Sequence, residues 1–131
     1  MIVLDSDILI GFLRNIDEAV GKITEFINNQ ILICTTSINA AELYFGANLS
    51  GKKDENLKSV ENLLLKLEIF PFTANSGKIY GDIRANLQRE GEMINELDIF
   101  IAAIVKENNM KLITKNVRHF KKINNLKIES W

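Results

Sequence analysis

Asp5 and Asp7 follow the apolar run that opens the chain, Glu42 lies inside a largely apolar stretch, and Asp98 leads another. A carboxylate at the head of an otherwise apolar face needs a hydrogen-bond partner or a metal if that face is buried. Three carboxylates brought within a few ångströms would raise one another's pKa unless a divalent cation neutralised them. Oxygen ligands without a Cys or His cluster suit Mg²⁺ or Mn²⁺ rather than zinc. Carboxylate-held Mg²⁺ keeps several waters, which suits phosphoryl transfer. Simpler roles are open to each acid, since Asp5 and Asp7 could cap and charge the first turn of a helix and Glu42 could answer a helix dipole.

Bringing these acids together requires a particular set of elements. Ile2, Val3 and Leu4 read as a strand buried on both faces, with Ser6 as N-cap of a short helix to Leu13 that Gly11 weakens. A helix over Asp17–Asn29 and a strand over Ile31–Thr35 follow. Thr36 or Ser37 caps the next helix, where Ile38, Ala41 and Phe45 form an apolar stripe ending at Gly46. A polar loop over Ala47–Glu55 precedes a helix marked by Leu57, Val60, Leu64 and Leu67, whose broad Leu63–Leu65 face could meet another chain. The face near Ile8 and Phe12 is a second such candidate. Ile69–Phe72 is a strand that Pro71 confines to an end or an edge, and Ser76–Glu90 is a helix closed by Gly91. Leu97–Glu107 is a compact apolar helix. Strands at Lys111–Thr114 and Lys127–Ser130 flank a helical turn over Val117–Lys122. Alternating strands and helices predict an α/β fold with a central parallel sheet of four to five strands, flanked by helices on both faces. Such a sheet would gather Asp5, Glu42, Asp98 and the Thr114–Asn116 turn at its C-terminal edge.

The chain has 131 residues, which suits a single domain over 1–131, and 47% apolar with 25% charged residues is ordinary globular usage. No apolar run approaches the length of a membrane span, and a cytoplasmic location is the expectation. Sixteen basic against seventeen acidic residues leave a net charge of -1, so no partner is drawn by the whole-protein field. Locally, Lys111, Lys115, Arg118, Lys121, Lys122 and Lys127 form a basic segment without an acid between Asn108 and Ile128, which could meet phosphates or simply be solvated. The single Cys34 lies in an apolar run and reads as a buried strand residue.

Four pieces of the sequence occur together in a telling order. They are Val3-Leu4-Asp5-Ser6-Asp7-Ile8-Leu9-Ile10; Ser37-Ile38 followed by Glu42-Leu43 and Gly46-Ala47; Asp98 followed by Ile101-Ala102-Ala103; and Thr114-Lys115-Asn116-Val117-Arg118-His119-Phe120 with the closing Leu126 and Trp131. Together they resemble the PIN-domain ribonucleases, specifically the VapC-type toxins of type II toxin-antitoxin pairs. The resemblance implies a Mg²⁺- or Mn²⁺-dependent endoribonuclease, with a small cognate antitoxin and a second copy of the chain as partners. It assigns Asp5, Glu42 and Asp98 to the acidic metal site and Asn116 to a fourth catalytic position where relatives carry Asp or Asn. Asp5 and Asp98 would be direct ligands, with Glu42 a ligand or a base. Ser6, Asp7 and Thr114 would support them from behind. Lys115, Arg118, Lys121 and Lys122 would hold RNA phosphates. A neutral Asn116 leaves three strong ligands and favours one ion over two. His119 stands where many relatives have Asp, which leaves its role open between a surface residue of the basic segment, the favoured reading, and a catalytic acid.

Two rival readings remain. One is a non-catalytic PIN-like module that binds an antitoxin or RNA. The other is a haloacid-dehalogenase-like phosphatase with Asp5 as nucleophile, Asp7 as acid and Thr35 as its second motif. That family's closing acidic pair has no counterpart after Lys111.

Overall fold

The computed structural model describes residues 1–131. Its strands are β1 (Ile2–Leu4), β2 (Ile33–Thr36), β3 (Glu68–Phe70), β4 (Lys111–Ile113) and β5 (Lys127–Glu129). Its helices are α1 (Ser6–Leu13), α2 (Asp17–Asn28), α3 (Ser37–Leu49), α4 (Lys53–Leu64), α5 (Ala74–Glu90), α6 (Glu96–Glu107) and α7 (Val117–Phe120). The strands form one sheet in the order β3-β2-β1-β4-β5, and every pair is parallel. Sequence order reverses beside β1, so a crevice opens between the carboxyl ends of β1 and β4. Asp5 and Thr114 are the residues just beyond those two ends.

Strand alternation divides the core in two. Val3, Cys34 and Leu112 point to one face and pack with Ile83 and Leu87 of α5, with Ile99–Val105 of α6, and with Phe120. Leu4, Ile33 and Ile113 point to the other face, against Ile8 and Leu9 of α1, Ile23 of α2, Leu43 of α3 and Val60–Leu64 of α4. β1, β2 and β4 are apolar on both faces because helices cover both, as parallel sheets require. Gly11 is buried, and a Cβ there would lie 3.2 Å from the Cβ of Ala19. Its place in α1 is therefore explained by the close approach of α2, whatever it costs in helix propensity.

Several expectations are corrected. The N-cap of α1 is Asp5, whose side chain accepts from the backbone of Ser6. β2 begins at Ile33, and Ile31 and Leu32 are exposed ahead of it. α3 passes through Gly46 to Leu49, so the connection to α4 shrinks to residues 50–52. Only Ile38 of the expected apolar stripe of α3 packs against the core: Ala41 is exposed and Phe45 is 66% exposed, while Asn39, Leu43 and Ala47 face inward. A buried asparagine broke the periodicity, since only its hydrogen bonds make its burial tolerable. Of the leucine triplet, Leu63 and Leu64 are core and only Leu65, at 84% exposure, faces solvent. Ile8 is fully buried, so it offers no contact surface.

Phe120 is fully buried beneath α7 and is the only buried residue of that helix. Replacing it with alanine removes the anchor of the segment that carries Asn116 and His119. Phe120→Ala is expected to lower unfolding free energy by about 3–5 kcal/mol, measured by urea denaturation.

Candidate active site

Asp5 sits at the crevice where the sheet reverses, 6% exposed. Its Oδ1 accepts from the backbone N–H of Ser6 at 2.8 Å and from Nδ2 of Asn39 at 2.9 Å. Its Oδ2 accepts from Oγ1 of Thr114 at 2.7 Å. One carboxylate thus holds together α1, α3 and the end of β4. Thr114, fully buried, also accepts from the backbone N–H of Asn116 at 2.9 Å, which fixes the turn after β4.

Glu42 is the sixth residue of α3, beyond its first turn, so the helix dipole is a weak reason for it. Its Oε1 accepts from Oγ of Ser6 at 2.7 Å. Asp98 lies in the first turn of α6, and its Oδ2 accepts from Nδ2 of Asn116 at 3.2 Å. His119 enters the same group. Its Nδ1 lies 3.0 Å from Nδ2 of Asn116 and 3.3 Å from Oδ2 of Asp98. The surface role expected for His119 is therefore corrected. α7 is one turn long, and a residue three positions after Asn116 returns to the same side of it.

Asp7 reaches across from α1 to the turn after β4. Its Oδ2 accepts from the backbone N–H of Lys115 at 2.9 Å, while its Oδ1 is buried without a partner. Its charge also raises the pKa of Asp5, Glu42 and Asp98 alike. Burial is the larger cause for all three. Asp5 is pushed up to about 6, against the pull of Thr114 and Ser6. Glu42 is raised despite its bond from Ser6, and Asp98 is raised despite His119.

The acids are neighbours but not a finished cage. No group of three or more His, Cys, Asp or Glu side chains is arranged to hold a metal ion as they stand. The expectation that three carboxylates lie within a few ångströms of one point is corrected to that extent. The reason is local: Asp5, Glu42 and Asp98 are each held by donors of their own, on separate elements. The donor set nevertheless fits a hard divalent cation, being dominated by carboxylate oxygens, with one of them, Oδ1 of Asp7, buried and unpaired. Of the expected phosphate-binding side chains, Lys115, Arg118 and Lys121 are exposed, while Lys122 is paired with Glu92 at 3.1 Å. Asn39 was not anticipated. An isolated polar residue at a position facing the core was its only sequence signal.

A raised carboxylate pKa sets a definite pH dependence. Asp5 has an ordinary value of 3.8 when unfolded and about 6 when folded, so the folded state holds the extra proton between them. Its contribution to stability is fully present below pH 4 and is lost as pH rises through 6. In metal-free buffer this amounts to about 3 kcal/mol by pH 8. Between pH 5 and pH 8, urea denaturation is expected to show a fall in wild type that exceeds the fall in Asp5→Asn by about 1–1.5 kcal/mol, the shared remainder coming from Glu42 and Asp98, which burial also raises.

A PIN domain model matches residues 2–126. Among curated proteins, Ribonuclease VapC2 of Haemophilus influenzae is 31% identical over 128 residues, covering 98% of this chain and 96% of that protein. The tRNA(fMet)-specific endonuclease VapC of Shigella flexneri is 29% identical over 128 residues, 98% of this chain and 96% of that protein. Among solved structures, VapBC2 from Rickettsia felis bound to a DNA fragment from its promoter superimposes with a TM-score of 0.91 at 32% identity. That match covers 100% of this chain and 99% of the other. With the five-stranded parallel sheet and the acids gathered at its reversal point, these matches establish that the chain belongs to the PIN domain family.

Proposed function

We propose that this protein is a metal-dependent endoribonuclease and the toxin half of a type II toxin-antitoxin pair. The observation that carries the reading is the meeting of Asp5, Asp7, Glu42, Asp98 and Asn116 at one sheet edge, in a chain similar over nearly its full length to proteins named as VapC ribonucleases. In this reading Asp5 and Asp98 hold Mg²⁺ or Mn²⁺, with Glu42 either a third ligand or the base that acts on the water. When bound, a divalent cation supplies an attacking hydroxide near neutral pH and offsets charge developing on the phosphoryl oxygens. The oxygen-rich donor set supports that choice of ion and disfavours zinc.

The chain's own residues do the rest. Glu42 has one oxygen occupied by Ser6, and its other oxygen can take a proton from the attacking water. Asn116 donates to Asp98 and steadies it, and being neutral it adds no fourth charge at its position, which supports a single ion. Thr114 and the backbone of Ser6 orient Asp5, and the backbone N–H of Lys115 orients Asp7. Lys115, Arg118 and Lys121, exposed beside this edge, bind the RNA backbone, with Lys122 held back by Glu92.

The cognate antitoxin belongs to the reading by kinship: Rickettsia felis VapBC2 was solved bound to a DNA fragment from its promoter, and VapBC from Salmonella typhimurium was solved bound to DNA. A second copy of the chain and a cytoplasmic location complete it. No helix is long and apolar enough to cross a membrane.

Purified protein freed of any co-purifying partner is expected to cut total cellular RNA into discrete fragments with Mn²⁺ or Mg²⁺ and not with chelator. Asp98→Asn is expected to lower that rate by at least about a hundredfold. Cleavage by Asp98→Asn at the wild-type rate would exclude this site. Lys115→Ala with Arg118→Ala should raise KM for RNA by roughly tenfold while kcat changes little, because phosphate contacts position the substrate in ground and transition states alike.

A further inference from the structure

Asn39 lies directly behind the acids, fully buried, with every polar atom of its side chain in use. Its Oδ1 accepts from Oγ1 of Thr36 at 2.7 Å. Its Nδ2 donates one hydrogen to Oδ1 of Asp5 at 2.9 Å and the other to Oγ of Ser6 at 2.8 Å. The orientation of this amide is determined rather than arbitrary. An oxygen in the place of Nδ2 would face the carboxylate oxygen of Asp5 with no proton between them. Thr36 enforces the same choice from the other side. Its oxygen already accepts from the backbone N–H of Asn39 at 3.2 Å, which leaves its proton for Oδ1.

The direction then propagates. A serine hydroxyl has one proton, and Oε1 of Glu42 at 2.7 Å can only accept it, while Asn39 fills a lone pair of Oγ and holds that hydroxyl in line with Glu42. Donation therefore runs from Thr36 through Asn39 and Ser6 to Glu42, with a branch to Asp5. Three of its members, Thr36, Asn39 and Asp5, come from β2, α3 and the end of β1, and all are buried. Chains of this kind strengthen when each member is satisfied and lose disproportionately when one is removed.

We propose that Asn39 is a positioning residue for RNA hydrolysis: its amide commits the Ser6 hydroxyl to Glu42, and so fixes which oxygen of Glu42 is left to face the attacking water. This rests on the hydrolytic reading above and extends it to the control of Glu42. A residue that only filled its pocket would act on Glu42 independently of Ser6.

The test is a double-mutant cycle on the full chain with Mg²⁺ and a defined RNA, using Asn39→Leu, which keeps the volume, Ser6→Ala, and both together. Each single change is expected to lower kcat on the order of tenfold with KM within about twofold, and the double to fall well short of the product of the two, its excess over the worse single being the donor that Asn39→Leu also takes from Asp5. A double variant slower by the product of the two, about a hundredfold, overturns the proposal. Because Asn39→Leu could fail to fold, NMR of the folded proteins supplies a second reading. The Asn39 side-chain amide of wild type should exchange slowly, and Ser6→Ala should shift both that amide and the Glu42 carboxyl carbon. A fast-exchanging amide or an unmoved Glu42 signal also overturns the proposal. If wild type itself cuts no RNA with either metal, the hydrolytic reading fails first, a result distinct from additivity in the cycle.

Discussion

The carboxylate of Asp5 is the point from which the rest of this molecule is arranged. It caps α1, accepts from α3 through Asn39, and accepts from Thr114 at the end of β4. Those are elements from the first residues, the first third and the last fifth of the chain. A buried ionised carboxylate is tolerable only when its lone pairs are met by donors, and here three donors converge on it. The site is thus part of the fold's own hydrogen bonding, and no loop has to be placed afterwards to complete it.

The same burial creates a tension. Desolvation raises Asp5, Glu42 and Asp98 together, and Asp7 adds like charge to each. The folded protein therefore favours protons at this edge, and a cation competes with those protons for the same oxygens. Hydrogen bonds from Thr114, Ser6 and His119 pull in the opposite direction and keep the carboxylates available. The balance between those opposing causes, more than the count of acids, sets the pH range in which the edge can work.

Much of this was legible in the sequence because it rests on local patterns. The β-branched and aliphatic runs at Ile2–Leu4 and Lys111–Ile113 gave their strands, and Gly91, with φ of 67°, closed α5 as a glycine past a helix end should. Asp5, Glu42 and Asp98 were legible as acids interrupting apolar segments. What stayed hidden depended on tertiary partners. Phe45 looked like a core residue on spacing, yet the face of α3 that turns inward is chosen by Asn39, whose partners lie on α1 and β2. His119 looked like one more polar residue in a basic run, and only the short turn of α7 brings it beside Asp98. Lys122 looked free until Glu92, thirty positions earlier, came into range.

The bond between Thr114 and Asp5 spans 109 positions of a 131-residue chain. Synthesis from the amino end therefore delivers Asp5 first and the hydroxyl that orients it almost last. β1 lies between β2 and β4, so until β4 arrives it is an edge with one side unpaired and the crevice has only one wall. A fragment that stops before Lys111 carries all four acids, Asp5, Asp7, Glu42 and Asp98, and yet has no crevice to hold them. This topology withholds the assembled edge until the chain is nearly complete, and a product interrupted before Lys111 lacks the wall that orients Asp5.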